Sequence, residues 1–223
     1  MKILYAGWGV CGINGLQHIL SRGDIKPKDI VALSTEESSA NMISDYYKSL
    51  GVKCVSEEEI LRSEGVEFDI LVSVHWRRRI SSKIIKHCNG CGINLHPSLL
   101  PQYAGCSSLA HALLNGEKLA GYSWHFIEKD YDTGRILLQE PVEIRDEDTA
   151  FSLFNRVNLK GTSTVLTAIN LALDAGFWGH QQDLATRTYY PRGFPSWEES
   201  KKKNPDLDIN VYNRASFFPG KNR

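Results

Sequence analysis

Lys2-Ile3-Leu4-Tyr5-Ala6-Gly7-Trp8-Gly9-Val10-Cys11-Gly12 is an apolar run that ends in three glycines spaced G-x-G-x-x-G. A short apolar run stopped by turn residues reads as a buried strand. The glycines read as a tight strand-to-helix turn, so a helix is predicted over about Ile13 to Leu20. Ile30-Val31-Ala32-Leu33-Ser34 reads as a second strand, with Glu36 just past its end. This is the outline of a dinucleotide fingerprint, including an acidic residue for a ribose. The other reading is that the glycines only permit a tight turn and close packing. Further on, Asn41 to Leu50 reads as a helix and Val52 to Val55 as a short strand. Ser56 and Glu59 form a capping box that opens another helix. Phe68-Asp69-Ile70-Leu71-Val72-Ser73-Val74 is nearly continuous in apolar residues, as a strand buried on both faces requires. Strands and helices in this alternation predict an α/β fold: a Rossmann-like, doubly wound, mostly parallel sheet.

In such sheets ligands bind beyond the carboxyl ends of the strands. His75-Trp76-Arg77-Arg78-Arg79-Ile80 occupies that place after the Phe68–Val74 run. Ser81 to His87 reads as a short helix, followed by Gly92-Ile93-Asn94-Leu95-His96-Pro97-Ser98-Leu99-Leu100-Pro101. Strand side chains repeat every second residue, so Asn94 and His96 share one face and Ile93 and Leu95 the other. Pro97 stops the ladder because it has no N–H to donate. An uncharged donor beside a titratable ring suits an oxygen that gains negative charge during a reaction. A carboxylate from Asp130-Tyr131-Asp132-Thr133-Gly134 would orient that ring or take up a proton.

Gln102 to Gly105 reads as a loop and Ser107 to Asn115 as a helix, with N-capping the expected role of Ser107 and Ser108 and contact with a substrate the alternative. Leu119 to Ile127 is a predicted strand, with Tyr122, Trp124 and Phe126 on one face and Ser123 and His125 on the other. Arg135 to Ile144 is another, broken at Pro141. One long helix is predicted from Ala150 to about Ala175, capped by Gly176. The tail from Thr188 onward is rich in aromatics and proline, and is expected to be irregular.

The chain has 223 residues, enough for one domain with a small appendage. We place a core domain at 1–180 and an extension packing on it at 181–223. Lysines plus arginines and aspartates plus glutamates number 26 each. This balance argues against nucleic acid as a partner. The runs Arg77–Arg79 and Lys201–Lys203 read as solvated surface. Five cysteines without framework spacing suggest reduced thiols in a cytoplasmic protein. Cys88 and Cys91 form a C-x-x-C, but no second pair completes a zinc site, so no metal is expected. No signal-peptide pattern and no membrane-spanning run is apparent.

Asn94-x-His96-Pro97-Ser98-Leu99-Leu100-Pro101, followed about 35 residues on by Asp132-x-Gly134, resembles the N10-formyltetrahydrofolate-dependent formyltransferases. The resemblance is clear over Phe68 to Ile144, looser in the tail, and limited to fold pattern in the N-terminal third. It implies a doubly wound catalytic domain whose first loop holds no dinucleotide, and a catalytic trio of Asn94, His96 and Asp132. It further implies that N10-formyltetrahydrofolate is the formyl donor, held at Trp76, Arg78, Ile80 and Asp130, with the pterin bound largely by backbone groups. Ser98, Tyr103, Gly105, His125 and Tyr189 become candidates for contacting the amine substrate. The implied reaction is direct attack of an unprotonated amine on the formyl carbon. Asn94 and His96 would stabilise the oxyanion and Asp132 would help to move the proton.

Nothing in the chain resembles the additional C-terminal domain of the methionyl-transfer-RNA enzymes. Tyr189-x-Pro191-Arg192 and Phe218-Pro219-Gly220 resemble the segment that follows the catalytic domain in transfer-RNA and sugar formyltransferases. The expected acceptor is therefore a nucleotide-linked amino sugar, with dTDP the expected nucleotide. This family context carries expectations of O-antigen biosynthesis and a homodimer. Glycinamide ribonucleotide or another small amine is the alternative acceptor. An NAD-linked oxidoreductase using Gly7–Gly12 and a non-catalytic binding module are alternatives of a different class.

Overall fold

The computed structural model describes residues 1–34, 38–63, 65 and 67–219, with backbone alone at 38–41. In chain order the elements begin with β1 (Ile3–Gly7), α1 (Gly9–Ser21), β2 (Ile30–Leu33), α2 (Ser38–Ser49), β3 (Lys53–Val55) and α3 (Glu57–Arg62). They continue with β4 (Ile70–Val74), α4 (Ser82–Lys86), β5 (Gly92–His96), β6 (Ala104–Gly105), α5 (Ser108–Leu114) and β7 (Leu119–Phe126). The last are β8 (Ile136–Glu143), α6 (Ala150–Ser163), α7 (Val165–Leu173), β9 (Tyr189–Tyr190), α8 (Trp197–Lys203) and α9 (Ile209–Ser216).

Seven strands form one sheet in the order β3-β2-β1-β4-β5-β7-β8. The first five in that order run parallel, and β7 and β8 are added antiparallel. The chain winds outward from β1 in both directions, so the fold is doubly wound with its switch between β1 and β4. β1 and β4 are buried along their whole length, as their apolar runs require. Alternate residues feed two cores. Ile3, Tyr5, Val72, Ile93 and Leu95 enter the larger one with Tyr122 and Trp124, whereas Leu4, Ala6, Leu71 and Ile84 form the smaller one on the other face.

The glycine loop is used for close packing. A Cβ on Gly12 would lie 2.5 Å from the carbonyl carbon of Gly7, and the Tyr5 hydroxyl donates to the Gly12 carbonyl at 2.6 Å. α1 thus sits directly on β1 and its buried tyrosine. Glu36 lies outside the described residues.

The predicted helix from Ala150 to Ala175 is two helices. The Trp124 indole donates to the Gly161 carbonyl at 3.0 Å and lies 3.2 Å from Thr164 Oγ1, which itself donates to Gly161 at 2.9 Å. With that carbonyl engaged, Thr164 leaves helical geometry (φ −97°, ψ 8°) and α7 starts anew. α7 ends at Leu173, and Gly176 sits in a turn closed by the Asp174 carboxylate. β8 runs unbroken through Pro141 because it is an edge strand, where a missing N–H leaves no partner unpaired. The tail holds two short helices, and Leu207 and Ala215 enter the larger core.

Asp148, 3% exposed, takes two donors from Arg156 and one each from the Arg145 N–H and the Ser152 hydroxyl. Burial raises its carboxyl, but these partners outweigh burial and hold it at about 2. Asp148→Asn is expected to destabilise the fold by about 3 kcal/mol at neutral pH, at the low end for a buried pair because Arg156 is partly exposed. The contribution is complete above the usual value of 3.8 and lost as pH falls toward 2. Urea titrations of both chains check this, and equal midpoints at neutral pH would contradict it.

Candidate active site

β5 lies between β4 and β7, with Asn94 beside Ser73 on one side and His125 on the other, and His96 beside Ser123. Ile93 and Leu95 point into the larger core, so Asn94 and His96 occupy the opposite face, as the two-residue period requires. Residues 97–107 and the start of α5 close over that face from one side, and loop 128–134 from the other.

One hydrogen-bond chain fixes Asn94. His125 Nδ1 lies 2.8 Å from the Phe126 carbonyl, which can only accept, so this nitrogen donates and Nε2 is left as an acceptor. Asn94 Nδ2 lies 3.2 Å from that Nε2, and the Ser73 hydroxyl donates to Asn94 Oδ1 at 2.7 Å. The amide is held at both ends and retains one N–H to offer. His96 is fixed similarly: Nε2 lies 3.0 Å from the Tyr103 carbonyl and 3.2 Å from Ser108 Oγ. Because the carbonyl can only accept, Nε2 carries the hydrogen.

Asp132 completes the cluster. Its Oδ1 lies 3.5 Å from His96 Nδ1 and 3.6 Å from His125 Nε2, and Oδ2 accepts the Gly105 N–H at 2.8 Å. Burial alone would raise its carboxyl. The charge of His96 and the Gly105 amide outweigh burial and hold it well below the usual carboxylate range. One ionised carboxylate therefore faces two imidazoles, a grouping able to steady a developing oxyanion and handle a proton.

The other expected residues divide. His125 is inside the cluster. Gly105 and Tyr103 act through their backbones. The Tyr103 ring stacks on Tyr190 at 5.7 Å, and its hydroxyl donates to Glu117 at 2.6 Å. Ser98 is turned inward and donates to the Gln102 carbonyl at 2.7 Å, so it staples its own loop. Ser107 and Ser108 do not cap α5: Ser107 makes no capping bond, and Ser108 reaches His96. Trp76 and Ile80 pack into the smaller core, Arg78 and Asp130 are exposed, and Tyr189 is half-exposed beneath the Arg187 guanidinium at 4.8 Å. The structure adds Ser73, Ser108 and Gln182. Ser73 has a sequence signal, being the hydroxyl in an otherwise apolar stretch that runs into the site loop.

Cys88 and Cys91 do not face a common site. Cys88 Sγ is directed at the Ile84 carbonyl (3.7 Å) and Cys91 Sγ at that of Ala172 (3.9 Å). Burial pushes the Cys88 thiol up to about 12. Among the described residues no helix is long and apolar enough to cross a membrane.

Residues 26–169 match the formyl transferase family. GDP-perosamine N-formyltransferase of Brucella melitensis is 31% identical over 223 residues, covering 98% of this chain and 85% of that protein. Methionyl-tRNA formyltransferase of Thermodesulfovibrio yellowstonii is 34% identical over 160 residues, 68% of this chain and 50% of that protein. The N-formyltransferase of Helicobacter canadensis, solved with folinic acid and dTDP-3-aminofucose, superposes with a TM-score of 0.75 at 21% identity, covering 98% of this chain and 81% of that one. The doubly wound sheet, the matched segment enclosing Asn94, His96 and Asp132, and a relative similar along nearly the whole chain establish that this protein belongs to the formyl transferase family.

Proposed function

We propose that this enzyme transfers the formyl group of N10-formyltetrahydrofolate to the primary amine of a nucleotide-linked amino sugar, and that Asn94, His96 and Asp132 carry the reaction. The observation that carries the reading is that the Asp132 carboxylate faces His96 and His125, with Asn94 bonded to His125, in a chain similar to GDP-perosamine N-formyltransferase over 98% of its length. The donor supplies an activated formyl carbon. The free Asn94 N–H and the His96 ring meet the negative charge that develops on its oxygen, and Asp132, ionised throughout the neutral range, takes the proton leaving the amine and passes it to N10 as the bond between N10 and the formyl carbon breaks.

Loop 75–80 lies beyond the carboxyl end of β4, beside Asn94. The side chains of Trp76 and Ile80 are anchored in the smaller core, which suits a loop that holds a flat ring by its backbone. On the acceptor side, Tyr189 and Arg187 supply a ring and a cation beside the loop that carries Asp132, suited to a base and a diphosphate. The free thiols fit a cytoplasmic enzyme. A homodimer acting on a sugar destined for O-antigen completes the reading.

Mass spectrometry after incubation with N10-formyltetrahydrofolate and either GDP-perosamine or dTDP-3-aminofucose tests this proposal. Gain of one formyl group on a sugar, lost with His96→Ala, is the expected result. Formylation of glycinamide ribonucleotide and of no sugar would overturn the acceptor, and no formylation of any amine would overturn the reaction.

A further inference from the structure

The tail segment 180–190 runs between the two loops that close the site. Its backbone and side chains bond to both of them. The Ala104 N–H donates to the Thr188 carbonyl (2.9 Å), the Cys106 N–H to that of Tyr190 (2.7 Å) and the Tyr103 N–H to Thr188 Oγ1 (2.7 Å). On the other side, Arg187 donates to the Tyr131 carbonyl at 3.0 Å. The most buried of these contacts is made by Gln182, which is 5% exposed. Its Nε2 donates to the Asp132 carbonyl at 3.0 Å and to the Gly134 carbonyl at 2.6 Å.

We propose that Gln182 is a positioning residue: its amide holds the Asp132-Thr133-Gly134 turn so that the Asp132 carboxylate faces His96 and His125 together. The inference rests on the reading of Asp132 given above. Three observations lead to it. First, Asp132 has φ +57°, a left-handed conformation uncommon outside glycine, though more accessible to aspartate than to most residues, so the turn gains from an outside hold. Second, the turn is pressed against the end of β7: a Cβ on Gly134 would lie 1.8 Å from the Phe126 carbonyl oxygen, the same carbonyl that fixes His125. Moving the turn therefore moves Asp132 relative to both rings. Third, the orientation of the Gln182 amide is unambiguous. Two carbonyls face its nitrogen and demand donors, while its Oε1 is buried with no partner among the described residues. An unpaired buried oxygen costs stability, so what this side chain contributes here is its pair of N–H groups.

Gln182→Met preserves length and approximate volume but removes both donors. Gln182→Asn keeps the amide on a shorter arm that cannot reach the turn. Each folded variant is assayed with N10-formyltetrahydrofolate and GDP-perosamine, beside His96→Ala. The imidazole nitrogen signals of His96 and His125 are followed by NMR at neutral pH without substrate. A fall in kcat of about thirtyfold is expected, with KM for both substrates changed by less than about threefold. The ring signals of both histidines should shift together as the carboxylate moves away. Ring signals unchanged from wild type in either folded variant overturn the proposal whatever the acceptor, as does a kcat within twofold of wild type when His96→Ala is inactive. If His96→Ala is itself fully active, the reading of the trio fails instead, and the ring signals still decide whether Gln182 sets the turn.

Discussion

His96→Ala is expected to lower kcat by about two to three orders of magnitude, the usual effect of deleting one donor from an oxyanion site. The ring is bonded to the Tyr103 carbonyl through Nε2 and faces Asp132 through Nδ1. Alanine therefore removes the ring proposed to meet the reacting oxygen and also takes from Asp132 one of the groups that hold it ionised. Neither loss touches loop 75–80, so KM for the folate should change by less than about threefold. Some stability is lost as well, because the Tyr103 carbonyl and Ser108 hydroxyl lose a buried partner. About 1–3 kcal/mol is expected, a fall in Tm of several degrees for a chain of this size. Steady-state kinetics below the variant's Tm separate the two effects. Turnover within threefold of wild type would remove His96 from the mechanism.

The legible parts of this protein are those governed by strict local periods. β1 and β4 are apolar because both faces meet apolar cores, and β5 alternates because one face meets the core and the other the polar site. Asn94 and His96 could therefore be placed on one face before any coordinates, as could Ser123 and His125 on β7, whereas the pairing of His125 with Asn94 comes from the register of the strands. What stayed hidden depends on contacts distant in sequence. The break between α6 and α7 is made by Trp124, 37 residues before the Gly161 carbonyl it engages. Gln182 lies 50 residues after Asp132, and no spacing rule connects a lone glutamine to a distant turn. Ser98 and Ser108 show the same limit at shorter range. Both are serines near the motif, but loop 97–107 turns one inward to its own backbone and the other toward His96. The tail is a different case, because its signal was present. Ser196 and Glu199 form a capping box that starts α8, hidden among prolines and aromatics that suggested irregular chain.

Asp132→Asn is expected to reduce kcat about a thousandfold, within the range for loss of a positioned acid–base group. Asparagine tolerates the left-handed backbone at this position, so the turn should survive. Its side-chain oxygen can still accept the Gly105 N–H now bound by Oδ2. The amide nitrogen then faces His96 Nδ1 and can donate to it. The variant thus keeps the shape of the site while losing the proton acceptor. Stability gives an independent check. The folded-state value of Asp132 lies below its usual 3.8, so the ionised group contributes stability that is complete above about pH 4 and lost as pH falls further. Wild type should exceed Asp132→Asn by on the order of 2 kcal/mol at neutral pH, and the gap should narrow at about pH 3. Urea titrations at the two pH values measure it. A gap of equal size at both would mean that the carboxylate is not held by its imidazole partners, and a variant near wild-type turnover would mean that the proton leaves by another route.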